Sequence, residues 1–155
     1  MRTVQIPTVL IMSFLFAGCL AYTTYTGDLK PLSPEPHWAR FFAPVSVDTL
    51  HPTFKWQAAD STRKVDLGIW QAVYNGTGLR NNTGSYEKGT LVYYVEGITG
   101  DEHEISTNLA PDTIYFWSIK PSGTMQWETA NHTGAIGGTF QEANGLFFSL
   151  KTPSQ

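Results

Sequence analysis

The densest group of ionisable side chains in the chain is the run Asp101-Glu102-His103-Glu104. Its carboxylates could hold a hard cation, and His103 could join them as a zinc ligand. Successive residues of an extended chain point to opposite faces, however, so adjacent ligands do not easily converge on one ion. We therefore interpret the run as an acidic, solvated turn and predict no metal site.

Groups that could carry out catalysis are equally scarce. His51, His103 and His132 are far apart in the sequence, and none belongs to a helical His-Glu-x-x-His motif. No Gly-x-Ser-x-Gly elbow and no phosphate-cradling loop occurs. An enzyme would need one of these histidines to meet a carboxylate in a pocket. The sequence nominates no such pair and no cofactor, so a non-catalytic protein is favoured.

Composition limits the fold and the partners. A chain of 155 residues has room for one ordinary core. Its 14 Gly and nine Pro, scattered among many aromatic residues, favour short strands joined by turns, so we expect an all-β domain. The net charge of −3, with no run of basic residues, makes nucleic acid an unfavourable partner.

The N-terminus has the pattern of an export signal over residues 1–18. Arg2 supplies a positive charge, residues 9–16 form a short apolar run, and Ala17 and Gly18 are small. A membrane-spanning helix needs about 20 apolar residues, and Pro7 together with the polar stretch 22–30 leaves too few. We therefore expect export and no permanent transmembrane span.

The segment Leu15-Phe16-Ala17-Gly18-Cys19 resembles the bacterial lipobox. The resemblance implies that Cys19 is acylated, becomes the mature N-terminus and anchors the chain to the membrane of the cell envelope. Phe16 departs from the family pattern, which usually has Leu at that place. Leu20 stands where an Asp would signal inner-membrane retention, which favours the outer membrane. The alternative is a plain signal peptide with an incidental cysteine.

Residues 19–43 show no sustained hydrophobic period and contain three prolines, which predicts a tether. In a polyproline II conformation, such a tether would reach up to about 60 Å. Four residues near its end are too aromatic for a free linker, and we expect them to pack on the domain as a lead-in segment. They are His37, Trp38, Phe41 and Phe42.

The remaining chain, residues 44–153, reads as strands and turns. Residues 65–73 alternate as in a central strand. One face carries Val65, Leu67, Ile69 and Val73, and the other carries Asp66, Gly68, Trp70 and Ala72. Residues 90–97 resume strand character. The Gly- and Asn-rich segments 74–89 and 122–144 are predicted to be long loops.

The segment from Leu109 to Ile119 resembles the corner and following strand of fibronectin type III domains. Its Leu-x-Pro-x-Thr-x-Tyr motif consists of Leu109, Pro111, Thr113 and Tyr115. The resemblance implies a β-sandwich of about seven antiparallel strands, in which the Tyr115 hydroxyl bonds back to the preceding backbone. It also implies that Trp117 and Ile119 point into the core.

The same alternation places several aromatic side chains on the outside of one sheet. This predicted aromatic row consists of Trp70, Phe116 and Phe147, with Tyr94 beside them. A monomer rarely exposes so much contiguous apolar surface without a use. The alternative is that the row is covered by the lead-in segment or by the insertion that bears Met125 and Trp127.

Two functions follow from the row. The first is an anchored interaction or accessory module, which binds another envelope or surface protein through the row or the 122–144 loop. The second is a carbohydrate-binding lipoprotein, in which Trp70 and Phe116 stack on the sugar rings of a polysaccharide and Gln126 and Asn131 flank them. An enzyme is the third and least supported reading.

Overall fold

The computed structural model describes residues 22–24, 29–36, 43–61, 63–76, 86–125, 127, 131–134, 138–139 and 148–154. For 22–24, 131–134 and 138–139 only the backbone is described. The predicted export signal, Cys19, the lead-in residues 37–42, Gln126 and Phe147 lie outside the described residues. Within the described ranges there is no helix, and so none that could cross a bilayer.

The described residues form eleven strands, which confirms the prediction of an all-β chain. In chain order the strands are β1 (Tyr22–Thr24), β2 (Leu29–Ser33), β3 (Val45–Ser46), β4 (Thr53–Ala58), β5 (Val65–Tyr74), β6 (Tyr86–Ile98), β7 (Glu102–Glu104), β8 (Ile114–Pro121), β9 (Asn131–Gly134), β10 (Gly138–Thr139) and β11 (Phe148–Lys151).

Two sheets build the main body of the fold. One has three strands in the order β2-β4-β7, and the other has five in the order β3-β11-β8-β5-β6. Every pairing in them is antiparallel except that of β3 with β11, which is parallel and corrects the expectation of purely antiparallel strands. A separate small sheet has the order β1-β9-β10.

The core lies between these two sheets. Phe54 and Trp56 of β4 are buried, as is Trp117 of β8. The rings of Phe54 and Trp117 meet edge to face with centroids 4.9 Å apart, and Trp117 also packs on Phe148 at 5.0 Å. Large aromatic side chains from both sheets therefore fill one interior, which is sandwich-like packing.

The predicted tether is corrected at its centre, because residues 29–33 are a strand of the fold. In β2, Leu29 and Pro31 are buried and alternate with exposed Lys30 and Leu32, and Leu29 pairs with Ala58 of β4. The prolines concealed this strand in the sequence. Proline is tolerated here because β2 is an edge strand of its sheet, where a backbone N–H can be missing without breaking a second ladder.

The predicted loop 74–89 is also shorter than expected. β5 continues to Tyr74 and β6 already begins at Tyr86. Gly89 lies within β6, at a place where a side chain would not fit, because a Cβ atom there would lie 2.8 Å from the Gln71 carbonyl oxygen. The segment 122–144, predicted to be a loop, contains the backbone strands β9 and β10.

Candidate functional site

The corner segment, residues 109–115, stabilises the fold at the start of β8 through bonds within the protein. The Tyr115 side chain is buried, and its hydroxyl oxygen accepts the backbone N–H of Ala110 at 2.9 Å. Leu109 is buried, and the Thr113 hydroxyl donates to the Pro111 carbonyl at 2.8 Å. These bonds close the turn locally and leave its side chains engaged within the protein.

Thr152 joins this corner from the far end of the chain. Its hydroxyl accepts the backbone N–H of Thr113 at 2.9 Å and lies 2.7 Å from the Ala110 carbonyl oxygen, to which it can donate. The sequence contains no signal for this contact, because the two segments are about 40 residues apart. The last strand is thereby fastened to the corner that precedes β8.

Two of the three members of the predicted aromatic row that the structure describes are covered. Trp70 is only 7% exposed and Phe116 only 5%, whereas Tyr94 is 40% exposed. The expectation that Trp70 and Phe116 form an open stacking platform is therefore corrected. Carbohydrate binding through these two rings loses its basis, because a sugar needs an accessible ring face.

Trp127 covers Trp70, in keeping with the covered alternative. The two indole rings pack edge to face with centroids 5.0 Å apart. Gly68 permits this contact, because a Cβ atom there would lie 2.5 Å from Cη2 of Trp70 and 2.8 Å from Cη2 of Trp127. The missing side chain of Gly68 lets the rings lie close to the sheet.

Two lysines extend this arrangement. Lys88 Nζ lies 4.9 Å from the centre of the Trp70 ring, and Lys120 Nζ lies 5.2 Å from that of Trp127. Both distances allow cation–π attraction. The four side chains, termed the tryptophan stack, hold the segment after β8 against the outer face of the five-stranded sheet.

Beside the tryptophan stack, the carboxylate of Asp66 is buried at the start of β5. Its Oδ1 accepts the backbone N–H of Gly97 at 3.0 Å and the Ser122 hydroxyl. Its Oδ2 lies 3.1 Å from Lys120 Nζ and 3.3 Å from the Tyr94 hydroxyl. Three protein donors therefore bind one carboxylate, and the Tyr94 hydroxyl divides its single proton between this carboxylate and that of Glu96, which lies 2.9 Å away.

The pKa values follow from these contacts. Burial acts to raise the pKa of Asp66, but the hydrogen bonds from Ser122 and Gly97 and the charge of Lys120 outweigh it, so this pKa is below its usual value. Burial, the hydrogen bond to Glu96 and the nearby carboxylates raise the pKa of Tyr94 to about 12. Both groups keep fixed protonation states near neutral pH.

The Asp66 network borders a cavity of about 310 Å³ lined by Tyr94, Glu96, Lys120 and Thr124, among others. A ligand would find the acceptor sites of Asp66 already engaged by protein donors. The network is better suited to fixing the turn after β8, since Ser122 and Lys120 both belong to that region. Sequence reasoning placed Asp66 on the outer face but assigned it no role.

The histidines do not form a common site. His51 Nδ1 lies 3.1 Å from the Thr49 hydroxyl, and Nε2 lies 3.7 Å from Glu104 on an open surface. The Thr49 hydroxyl also accepts the backbone N–H of His51 at 3.2 Å. Residues 49–51 therefore form a local turn closed by the threonine side chain.

His103 instead meets the Tyr93 hydroxyl at 2.8 Å, and burial lowers its pKa. For His132 only the backbone is described. No three His, Cys, Asp or Glu side chains among the described residues could together hold a metal ion.

The exposed apolar side chains concentrate on the hairpin of β5 and β6. Six large hydrophobic side chains are exposed among the described residues, and four of them lie on this hairpin. These four, termed the hairpin patch, are Val73, Leu91, Val92 and Tyr94. Sequence reasoning had singled out Tyr94 for the outer face and had grouped Val73 with the core residues of β5. That grouping is corrected, because Val73 is 52% exposed near the end of β5.

Irregular pairing explains why Leu91 and Val92 are both exposed. Tyr93 pairs with Ile69 and Leu91 pairs with Trp70, so Val92 is an extra residue between them. Such a bulge breaks the strict alternation of side chains and brings neighbouring residues to the surface. β6 shifts register against β5 at three places.

The chain has no match among models of known protein families, among curated proteins or among solved structures. What the chain binds is therefore inferred from its own residues.

Proposed function

We propose that the chain is an exported, lipid-anchored and non-catalytic interaction module that binds another envelope or surface protein through the hairpin patch. The observation that carries this proposal is the clustering of Val73, Leu91, Val92 and Tyr94 on one hairpin at the edge of the sheet. Single exposed apolar residues are ordinary, whereas four on one hairpin favour an interaction surface. Leu91 and Tyr94 lie on the same side of the sheet, since they pair with Trp70 and Gly68.

The chemistry of the hairpin patch fits a protein better than a sugar. Three of its four side chains are aliphatic and provide no flat ring face for a sugar to stack on. Exposed Glu87, Lys88 and Glu96 border the patch on the same strand. An apolar centre with a charged rim is the usual composition of a protein interface.

The mode of contact follows from the shape of β6. β6 is an edge strand of 13 residues, but its three register shifts bend it away from a regular ladder. Bulges of this kind discourage the addition of a foreign strand. The partner therefore contacts the side chains of the hairpin patch and does not extend the sheet.

The sandwich that carries the patch is proposed to be of the fibronectin type III kind. Supporting this are the division of the main strands between two facing sheets and the bond from Ala110 to the Tyr115 hydroxyl, which is the mark of a tyrosine corner. The export signal and acylation at Cys19 remain proposals that rest on residues 1–19.

Site-specific photo-crosslinking in intact cells that produce the full chain tests the binding proposal. A photoreactive residue is placed at Leu91 or, as a matched control, at Leu32, which is 46% exposed against 45% for Leu91. We expect a discrete crosslinked protein from position 91 that is absent from position 32. It should disappear when Val92→Ser is added, because serine removes apolar area from the patch.

Two results would overturn the proposal. One is equal crosslinking from positions 91 and 32, which would indicate random collisions. The other is undiminished crosslinking after Val92→Ser in a chain that remains folded by circular dichroism. Saturable binding of a polysaccharide, blocked by Leu91→Ser, would establish the carbohydrate alternative instead.

A further inference from the structure

An asparagine–glycine pair follows directly on β5. Tyr74 with Tyr86 is the last pair of the ladder between β5 and β6, and their rings pack edge to face with centroids 5.5 Å apart. Asn75 is the first residue beyond this pair, and both it and Gly76 are exposed. The Asn75–Gly76 pair therefore lies outside the ladder, in contact with water.

The backbone at Gly76 is sterically open. Its φ is +80°, and no described residue other than its chain neighbours lies within 4 Å of the place where a Cβ atom would stand. The side-chain amide carbon of an asparagine and the backbone nitrogen of the next residue can close a five-membered ring, because the chain itself holds them close together. A side chain on that next residue hinders the closure, and glycine has none.

The exposed Asn108 provides a contrast within the same fold. The residue after it, Leu109, is buried, and its backbone N–H donates to the Leu50 carbonyl at 2.7 Å. Moving this nitrogen toward the Asn108 side chain would break the hydrogen bond and displace a core residue. The nitrogen after Asn108 is therefore held in place, whereas the one after Asn75 belongs to a glycine beyond the ladder.

We propose that Asn75 is a site of spontaneous deamidation, with the backbone nitrogen of Gly76 as the nucleophile. That nitrogen loses its proton to a base in solution and forms a bond to Cγ of Asn75. The bond from Cγ to the side-chain nitrogen breaks, and this nitrogen takes up a proton and leaves as ammonia. Water then opens the cyclic imide at either carbonyl and yields aspartate or isoaspartate, so that one water is consumed for each ammonia released.

The reaction changes the surface beside the hairpin patch. It places a carboxylate two residues after Val73 and adds one negative charge to a chain whose formal net charge is −3. In the isoaspartate product the backbone runs through the side-chain methylene, so the chain is lengthened where it leaves β5. The reaction needs neither a partner nor an anchor, and it is therefore independent of the proposed binding function.

Incubation of the folded full chain in heavy-oxygen water tests the site. Only a residue hydrolysed during the incubation acquires the heavy oxygen, so deamidation during later digestion in ordinary water is not counted. Mass spectrometry of the peptides separates Asn75 from Asn108 and from the second Asn-Gly pair, Asn144-Gly145, which lies outside the described residues. Fragmentation by electron transfer distinguishes aspartate from isoaspartate.

We expect Asn75 to be labelled at least about tenfold faster than Asn108, since a lower barrier appears directly in the rate. Both products should form, and labelling should be faster at mildly alkaline pH than at neutral pH. Gly76→Ala should slow it severalfold, and Asn75→Gln should abolish it, because glutamine would have to close a larger ring. Both variants are checked for folding by circular dichroism.

Equal labelling of Asn75 and Asn108 in the folded chain would overturn the proposal. Formation of aspartate without isoaspartate would also overturn it, because direct hydrolysis by water bypasses the cyclic imide and leaves Gly76 no part in the reaction. Unfolding in urea should accelerate labelling of Asn108 more than that of Asn75, since only the nitrogen after Asn108 is released from a bond to Leu50. Equal acceleration at the two residues would overturn the protection assigned to the fold.

Discussion

Trp127 packs edge to face on Trp70, with ring centroids 5.0 Å apart, and closes a surface that the alternation of β5 would otherwise leave open. The contact joins a strand to a segment more than 50 residues later in the chain. Because of this contact, the outer face of the five-stranded sheet at Trp70 is buried inside the protein. The side chains of the hairpin patch stay exposed.

Removal of the covering ring should expose the covered one. We expect Trp127→Ala to lower the free energy of unfolding by about 1 to 3 kcal/mol, because an aromatic contact and part of its buried area are lost. Acrylamide should then quench the remaining tryptophan fluorescence more strongly. Met125→Ala, two residues away and fully exposed, is the matched control and should change neither quantity. Unchanged quenching in Trp127→Ala would contradict the covering role.

The Asp66 network should make stability depend on pH. A carboxyl group whose pKa is lowered by folding stabilises the native state above the unfolded pKa of about 3.9, and this contribution is lost as the pH falls through the lower folded pKa. We expect Asp66→Asn to cost about 2 to 3 kcal/mol at pH 7, because charge-assisted bonds to Lys120 and Ser122 are weakened.

Below about pH 4, the difference in unfolding free energy between the wild type and Asp66→Asn should shrink, as the wild-type carboxylate becomes protonated. Urea unfolding at a series of pH values between 7 and 2 measures this difference. Asp48→Asn removes the same charge at an exposed position and serves as the control. A difference that stays constant over this range would show that the ionised form of Asp66 contributes nothing to stability.

The contribution of the hydrogen bond between Ala110 N–H and the Tyr115 hydroxyl to stability should be measurable by removing one oxygen atom. Tyr115→Phe keeps the ring in the core but removes the acceptor for the Ala110 N–H. We expect a loss of about 1 to 3 kcal/mol in the free energy of unfolding, since a partly buried donor is left without its partner. Chemical denaturation with an unchanged m-value would establish this loss. A phenylalanine variant as stable as the wild type would assign the corner no energetic role.

Local patterns predicted the elements whose side chains simply alternate. The resemblance of residues 109–119 to the fibronectin type III corner implied that Trp117 and Ile119 point inward, in alternation after Tyr115, and both are fully buried on β8. The first half of β5 follows its pattern as well, with Val65, Leu67 and Ile69 in the core. These outcomes are readable from sequence because the period of a strand depends only on its own backbone.

Other features could not be read in this way. β2 contains two prolines in and beside a short strand, so its alternation was hidden until its pairing with β4 was seen. Leu91 and Val92 are both exposed because register shifts arise between two strands and not within one. The role of Asp66 depends on Ser122 and Lys120, which approach it only in the folded chain.

The sequence by itself determined that the chain is all-β, that Trp117 and Ile119 face inward and that Trp70 and Phe116 leave the sheet on the other side. Only the tertiary structure decided which outward-facing residues are exposed. Covering depends on segments remote in the chain, such as Trp127 over Trp70, and on the space that Gly68 leaves beneath them. The face of the sheet to which a side chain points depends on the local backbone of its strand. The exposure of that side chain depends on every segment that packs against that face.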